Sequence, residues 1–319
     1  MRSLKRRSFL RYLAAGAGMA VVGTNSSLFA MESKRKFTMD LVCGAIGVKA
    51  KNQRDAIRLA AQGKFESVQP SPGELARMPA DQLSELLSYL RESNLVWGAA
   101  GLSVDFRKDE ATFKQGLAQL PTQAKALQQA GASRVSTWLS PAHGELTYLA
   151  NFKQHTQRLR EIAKILGDNG QRFGLEYVGP KTSWTKQRHS FIHSMAETKE
   201  LLAAIDQDNV GLVLDSWHWY TAQETEADLL TLTNKDVVAC DLNDAPVGLE
   251  VDQQLDLQRE LPAATGVIDL KTFLSALIAI GYDGPVRAEP FNKPLRDMDN
   301  DDAIATTAKA MQKAFALVE

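Results

Sequence analysis

The sequence predicts a single (β/α)8 barrel, and three observations support this fold. Between residues 36 and 319, segments of strand character alternate about eight times with segments of helical periodicity. Such alternation implies a parallel sheet, and eight units in a chain of this length imply that the sheet closes into a barrel. No glycine-rich phosphate-binding motif follows the first strand, which disfavours a doubly wound nucleotide-binding sheet. No linker-like stretch interrupts the alternation, so residues 36–319 are expected to form one domain.

Strand and helix signals follow one another through the first half of the barrel. The strands are runs of β-forming or small residues that end at a glycine or a proline, and the helices carry apolar residues at helical spacing. The predicted elements are a strand over 37–48, a helix from 52 to 60, a strand over 65–70, a helix over 81–93, a strand over 95–101, a helix over 111–131 and a strand over 134–140.

The second half repeats the pattern, with one long irregular connection. Residues 245–266 have neither period, and connections of this length are usually functional loops or lids. His155 is expected on the outer surface of its helix. The predicted elements are a helix over 148–168, a strand over 172–178, a helix over 197–205, strands over 210–215 and 236–243, a helix over 268–280, a strand over 285–290 and a helix over 302–317.

Composition excludes some classes of protein. Of the 319 residues, 44% are hydrophobic and 24% are charged, as in ordinary soluble proteins. The formal net charge is −1; without the first thirty residues, which hold five Lys and Arg and no acid, 32 basic residues stand against 38 acidic ones. This mildly acidic body argues against a nucleic-acid partner, because phosphate binding depends on clustered basic residues. Cys43 and Cys240 are interpreted as buried hydrophobic residues rather than a disulfide, since a core of this size needs none.

Residues 1–35 are typical of a signal peptide and a short linker. Lys5, Arg6 and Arg7 precede Ser-Phe-Leu and a Gly/Ala-rich apolar run over residues 13–23, which is the order of regions in a secretory signal. The paired arginines resemble the twin-arginine signal of exported folded proteins, which predicts a periplasmic location. The run is too short for a comfortable membrane span, so no span is expected in the mature chain. The triplet over residues 28–30, Leu-Phe-Ala, is a poor cleavage site and leaves an uncleaved membrane tether open.

Four acidic residues lie at the ends of the last four predicted strands: Glu176, Asp215, Asp241 and Glu289. The carboxyl ends of consecutive barrel strands lie side by side at one rim, so these carboxylates are expected to converge. For any one acid a strand-end salt bridge is the simpler interpretation, but four together require a cation or retained protons. The oxygen-rich set favours one divalent ion, Mn or Mg, with Co or Zn as competitors.

Several motifs in this half carry a family resemblance. They are Gly174-Leu-Glu-Tyr-Val-Gly-Pro180, Leu214-Asp-Ser-Trp-His218, Leu242-Asn-Asp-Ala-Pro246, Gly266-Val-Ile-Asp269 and Gly281-Tyr-Asp-Gly-Pro-Val-Arg-Ala-Glu-Pro290. In this order and spacing the chain resembles the xylose-isomerase-like TIM-barrel superfamily, in particular its sugar (phosphate) isomerase/epimerase branch. The resemblance covers the whole barrel and is sharpest over residues 172–291.

The resemblance implies roles for particular residues. Glu176, Asp215 and Glu289 would be metal ligands, and Asp241 stands where the family pattern leads one to expect a histidine. Aspartate can also bind a divalent ion, so Asp241 is retained as the fourth predicted ligand. His218 and an arginine, for which Arg259 is the candidate, would hold the substrate.

Two further residues are candidates for substrate binding from their position alone. Lys181 follows closely after Glu176, and His143 follows the fourth predicted strand, which places it at the rim. A solvent-exposed surface position is the alternative interpretation for each.

The resemblance implies a reaction at a carbon next to a carbonyl of a sugar. A divalent ion on a ketose carbonyl would stabilise an enediolate as a Lewis acid, while Glu176 and Glu289 remove and return the proton. Epimerisation, aldose–ketose isomerisation and β-elimination all start from this intermediate. Export favours a free, oxidised or glycosidic sugar over a sugar phosphate. The rival functions are a non-catalytic periplasmic sugar- or metal-binding protein and a metal-dependent nuclease, the latter disfavoured by five histidines and no basic groove.

Overall fold

The computed structural model describes residues 35–319. The predicted signal peptide lies outside the described residues. No helix in the described range is both long enough and apolar enough to cross a membrane.

The strands of the described region form a closed barrel and one small hairpin. Nine strands lie in one sheet in the order β3-β2-β1-β11-β10-β9-β7-β5-β4, with every pairing parallel, while β6 and β8 form an antiparallel pair. The strands are β1 Thr38–Leu41, β2 Ser67–Val68, β3 Val96–Trp97, β4 Ala100–Gly101, β5 Arg134–Trp138, β6 Ala142–His143, β7 Arg172–Glu176, β8 His189–Ser190, β9 Val210–Asp215, β10 Val237–Leu242 and β11 Pro285–Ala288.

The barrel closes through the predicted third strand, which is split into β3 and β4 at the two ends of the sheet. Gly98 lies at this break, and a Cβ atom there would come within 2.6 Å of the carboxylate carbon of Asp40. The buried Asp40 side chain therefore approaches the backbone more closely than any residue but glycine allows. With β3 and β4 counted as one, the predicted eight-stranded barrel is confirmed.

Helices surround the barrel and include every long helix that the sequence predicts. Asn52 caps the first of them by accepting a hydrogen bond from the Asp55 N–H. The helices are α1 Gln53–Gln62, α2 Pro72–Leu75, α3 Ala80–Glu92, α4 Glu110–Ala130, α5 Tyr148–Gly167, α6 Lys181–Trp184, α7 Met195–Ile205, α8 Ser216–Thr221, α9 Glu226–Leu229, α10 Leu270–Ala279, α11 Lys293–Arg296 and α12 Asn300–Phe315.

The expected outer position of His155 is wrong. Its side chain is only 3% exposed and packs against the rings of Phe106 and Phe191. One turn further along α5, the buried Arg158 donates to the carbonyl oxygens of Phe106 and Lys108. The segment before α4 therefore covers this face of α5, an arrangement that helical periodicity alone does not indicate.

The long connection over residues 245–266 is anchored at its base by Asp244. The fully buried Asp244 carboxylate accepts hydrogen bonds from four backbone N–H groups, at 2.7 to 3.0 Å. Asp244 also pairs with Glu260 in an antiparallel bridge. The connection is thereby held across the end of the barrel and carries Asp256 and Arg259 inward.

Candidate functional site

A cavity of about 930 Å³ opens at the carboxyl ends of the barrel strands. Its wall is built from strand ends, such as Trp138, Glu176 and Glu289, and from Asp256 and Arg259 of the long connection. Active sites of (β/α)8 barrels lie at this end, so the cavity is the candidate functional site.

All four predicted acids meet beside this cavity. Each of Glu176, Asp215, Asp241 and Glu289 offers one carboxylate oxygen, and these oxygens all lie within 4.8 Å of one another. The sheet explains the convergence: Asp241 is in register with Asp215 in the neighbouring strand, and Glu176 is in register with Val213, two residues earlier. Side chains two residues apart point to the same face of a strand, which here is the barrel interior.

Burial and mutual repulsion raise the pKa values of Glu176, Asp215 and Glu289. Burial, with Asp241, Glu289 and Asp215 nearby, raises the pKa of Glu176 well above its ordinary value. Burial also raises the pKa of Asp215 to about 7, although the Arg259 charge opposes it. For Glu289, burial again raises the pKa and Arg287 opposes the change. Carboxylates in this state gain stability from a proton or a cation.

Glu176 provides the clearest sign that a ligand is needed. Its side chain is buried, and among the described residues its Oε1 atom has no hydrogen-bond partner. A buried oxygen atom without a hydrogen-bond partner destabilises the folded protein. With three other carboxylate oxygens nearby, the donor set fits a hard divalent ion of the Mn or Mg type.

Arg259, the candidate for the substrate-binding arginine, lies at the site and links the long connection to the acids. Its Nη1 donates to Asp215 Oδ2 at 2.8 Å and its Nη2 donates to Asp256 Oδ1 at 2.7 Å. Burial alone would raise the pKa of Asp256, but the Arg259 charge, the neighbouring His218 and the hydrogen bond from Arg259 together lower it. Arg259 is itself almost fully buried.

His218 also lies at the site, where the sequence placed it. Its Nδ1 accepts from the Gly179 N–H at 3.2 Å, and its Nε2 lies 3.8 Å from Glu176 Oε1. Burial, together with the Arg259 charge, lowers the pKa of His218 to about 3. The imidazole is therefore neutral at physiological pH.

The structure places Lys181 and His143 apart from the residues that line the cavity. Lys181 Nζ forms an ion pair with Asp252 Oδ2 at 2.5 Å, and both side chains are about half exposed. His143 Nδ1 accepts hydrogen bonds from the N–H groups of Glu145 and Leu146. The neighbours Thr182 and Ala142 line the cavity in their place.

Two arginines of the site were not predicted. Arg287 donates through Nε and Nη2 to both oxygens of Asp241 and through Nη2 to Glu289 Oε1 at 3.3 Å. Arg287 lies in β11, two residues before Glu289, which follows the strand directly. Period-two alternation gives both side chains the same inward direction, and this spacing was the available signal. Arg107 lines the cavity, and its guanidinium lies 4.3 Å from the centre of the Trp138 ring. No sequence pattern marked Arg107.

An eight-stranded parallel barrel with buried acids at the carboxyl ends of its strands defines a TIM barrel with a site on its catalytic face. Comparison with known families identifies the family within this fold. The family model described as "Xylose isomerase-like TIM barrel" matches residues 57–314, and the chain belongs to this family.

Known proteins show similarity over different parts of the chain. Inosose isomerase of Bacillus subtilis (strain 168) is 29% identical over 161 residues, which are 49% of this chain and 53% of the relative. The 3-dehydroshikimate dehydratase of Pseudomonas aeruginosa is 29% identical over 139 residues, 43% of this chain and 20% of the relative. The structure of a xylose isomerase domain protein from Alicyclobacillus acidocaldarius superposes with a TM-score of 0.77 at 29% identity, covering 88% of this chain and 99% of that one. The chain thus spans about half the length of the inosose isomerase that it matches.

Proposed function

We propose that this protein is a divalent-metal-dependent isomerase or epimerase that acts on a sugar or keto-sugar through an enediolate. The observation that carries the proposal is the buried Glu176 oxygen without a partner, inside a group of four converging acids beside a cavity of about 930 Å³. The isomerase among the relatives and the family membership support the same class of reaction.

The four acids would hold the metal ion, with Glu176, Asp215 and Glu289 as its principal ligands and Asp241 beside them. When bound, the ion would supply Lewis-acid stabilisation of negative charge on the substrate oxygens. The oxygen donors favour Mn or Mg, and Co or Zn are the alternatives.

Glu176 and Glu289 are the proposed proton-handling pair. A general base is most effective when its pKa lies near the working pH, and burial raises the pKa of both residues. One carboxylate would remove the proton next to the substrate carbonyl, and the other would return a proton. Return to the opposite face gives an epimer, whereas return to the neighbouring carbon gives an aldose–ketose isomer.

Arg259 and His218 would orient the substrate. Arg259 supplies N–H donors at the inner end of the cavity, and Asp215 and Asp256 hold its guanidinium in place. The neutral His218 ring is fixed by the Gly179 N–H on one side. Both side chains are buried and pre-positioned, which is the arrangement that orientation of a substrate requires.

The test is hydrogen exchange in deuterated water. The purified protein, loaded in turn with Mn, Mg, Co and Zn, is mixed with a panel of unphosphorylated keto-sugars and inosose-type cyclic ketones, and loss of the α-hydrogen signal is followed by NMR. Metal-dependent exchange on one of these compounds is expected. Tight binding of a sugar without any exchange would instead favour a non-catalytic binding protein.

A lyase is the second candidate function, because part of the chain resembles the 3-dehydroshikimate dehydratase. A substrate with a leaving group β to the carbonyl would lose it after the same proton removal by Glu176 or Glu289. The same samples distinguish the two functions, since elimination creates a conjugated carbonyl that absorbs in the ultraviolet whereas epimerisation does not.

We also propose that the protein acts after export. This rests on the twin-arginine-like segment Lys5-Arg6-Arg7 in the sequence. Replacing both arginines by lysine should leave the precursor inside the cell, and unchanged export of that variant would refute the assignment.

A further inference from the structure

Arg287 is a cation built into the wall of the acid cluster. Its Nε and Nη2 atoms donate to the two oxygens of Asp241, the second at 2.8 Å, so the guanidinium engages that carboxylate as a fork. Asp241 is fully buried and the Arg287 side chain is 15% exposed. Bidentate pairs of this kind are the strongest charge-assisted hydrogen bonds in proteins.

The sheet register fixes this pair in place. Arg287 in β11 is in register with Asp241 in β10 on one side and with Asp40 in β1 on the other. Asp40 is also buried. If Arg287 turned away, it would leave the buried Asp241 carboxylate without its cation, and such an unpaired charge is strongly unfavourable.

The contact between Arg259 and Asp215 is of a different kind. Arg259 reaches Asp215 from the long connection rather than from a neighbouring strand, and only one of its N–H groups contacts only one Asp215 oxygen. The contacts of Glu289 with Arg287 and Arg259 are longer, 3.3 and 3.5 Å. Glu176 Oε1 has no partner among the described residues. The other Asp215 oxygen, Oδ1, accepts from the Trp217 N–H and from Asn243 Nδ2. Asp241 differs from the other three acids because a single guanidinium engages both of its oxygens.

We propose that Arg287 withdraws Asp241 from the metal ligand set, so that a divalent ion is held by Glu176, Asp215 and Glu289. The Asp241–Arg287 pair then contributes no net charge, and the ion faces three carboxylates instead of four. This inference rests on the proposed function to the extent that both require a divalent ion at the acid cluster.

The test is Mn²⁺ binding, measured by titration calorimetry on wild type, Asp241→Asn, Arg287→Gln and the double variant. The double variant replaces one neutral pair by another of nearly the same shape, so its affinity should stay within about threefold of wild type, since the local charge is unchanged. Arg287→Gln frees Asp241 and should tighten binding by about tenfold or more. Asp241→Asn leaves Arg287 as an unpaired cation and should weaken binding, and adding Arg287→Gln should restore it.

Two further variants serve as controls for these Mn²⁺ affinities. Asp215→Ala removes both oxygens of a proposed ligand and should abolish measurable binding. Arg107→Gln removes a positive charge from the wall of the same cavity, where its ion-pair partner is Asp105 at 3.3 Å. If Arg107→Gln tightens Mn²⁺ binding as much as Arg287→Gln does, a general charge effect explains the gain, and the proposal is overturned.

The outcomes separate this inference from the proposed function. If wild type binds Mn²⁺ and the double variant loses it as Asp215→Ala does, Asp241 is a ligand; the inference fails while the metal-dependent function stands. If only Arg287→Gln binds Mn²⁺, the three remaining wild-type acids do not hold the ion, and both the inference and the metal-dependent function fail. If none of the proteins binds, both fail. Circular dichroism of each variant verifies folding, and the comparison of wild type with the double variant is decisive even if a single variant unfolds.

Discussion

Replacing His155 by leucine should remove a large part of the acid sensitivity of the fold. Burial lowers the pKa of His155 to about 4, whereas an unfolded histidine titrates near 6.5. Between these values the unfolded chain binds a proton that the folded chain does not, so stability falls as the pH falls through this window. The shift of about 2.5 pKa units corresponds to a loss of about 3 kcal/mol when the pH drops from 6.5 to 4. Leucine has no such proton to bind.

The assay is urea unfolding of both proteins at pH 7.5, 5.5 and 4.5. As the pH decreases, the free energy of unfolding of wild type should fall more steeply than that of the variant, and so approach it or drop below it. The other titrating groups are common to both proteins and therefore do not contribute to this difference. His189→Gln, at a partly exposed position, controls for the loss of a histidine as such. Parallel pH curves for wild type and His155→Leu would refute the argument from burial.

Two further predictions concern the elements that position the site. Asp244→Ala leaves four backbone N–H groups without their acceptor and should lower the free energy of unfolding by about 1–3 kcal/mol. Limited proteolysis should cut residues 245–266 faster in this variant than in the control Asp252→Ala, which alters only an exposed ion pair. Equal cleavage of the two variants would contradict the anchoring role of Asp244. Gly98→Ala places a methyl group against the buried Asp40 carboxylate and should destabilise the barrel by about 1–3 kcal/mol in thermal unfolding. An unchanged melting temperature would contradict the close approach.

The fold was predictable because its signals are local. Hydrophobic period and bounding glycine or proline residues mark each barrel strand and each long helix, and the eight parallel strands appear in the predicted order. The split at Gly98 was not predictable, since it depends on Asp40, a residue far away in sequence. The burial of His155 has a similar origin, because the segment that covers it precedes a different helix.

The acids of the candidate site were predictable because their signals, like those of the fold, are local in sequence. The four acids could be identified because each lies at a strand end, and strand ends meet at one rim of a barrel. The partners of these acids could not be identified, because the Asp241–Arg287 pair follows from the register of two strands rather than from spacing along one. Lys181 directly precedes the cavity residue Thr182, but its side chain forms an ion pair with Asp252 on the long connection. That connection has no periodic pattern, so this pair could not be predicted.

The measurement that tests the central claim most directly is α-hydrogen exchange by Glu176→Gln with the metal bound. Glutamine keeps the shape and one oxygen of Glu176 but removes its basic site. The variant should retain Mn²⁺, verified by calorimetry, while exchange of the substrate's α-hydrogen slows by about two to four orders of magnitude, the usual contribution of a general base. Exchange at the wild-type rate in the metal-loaded variant would contradict the account.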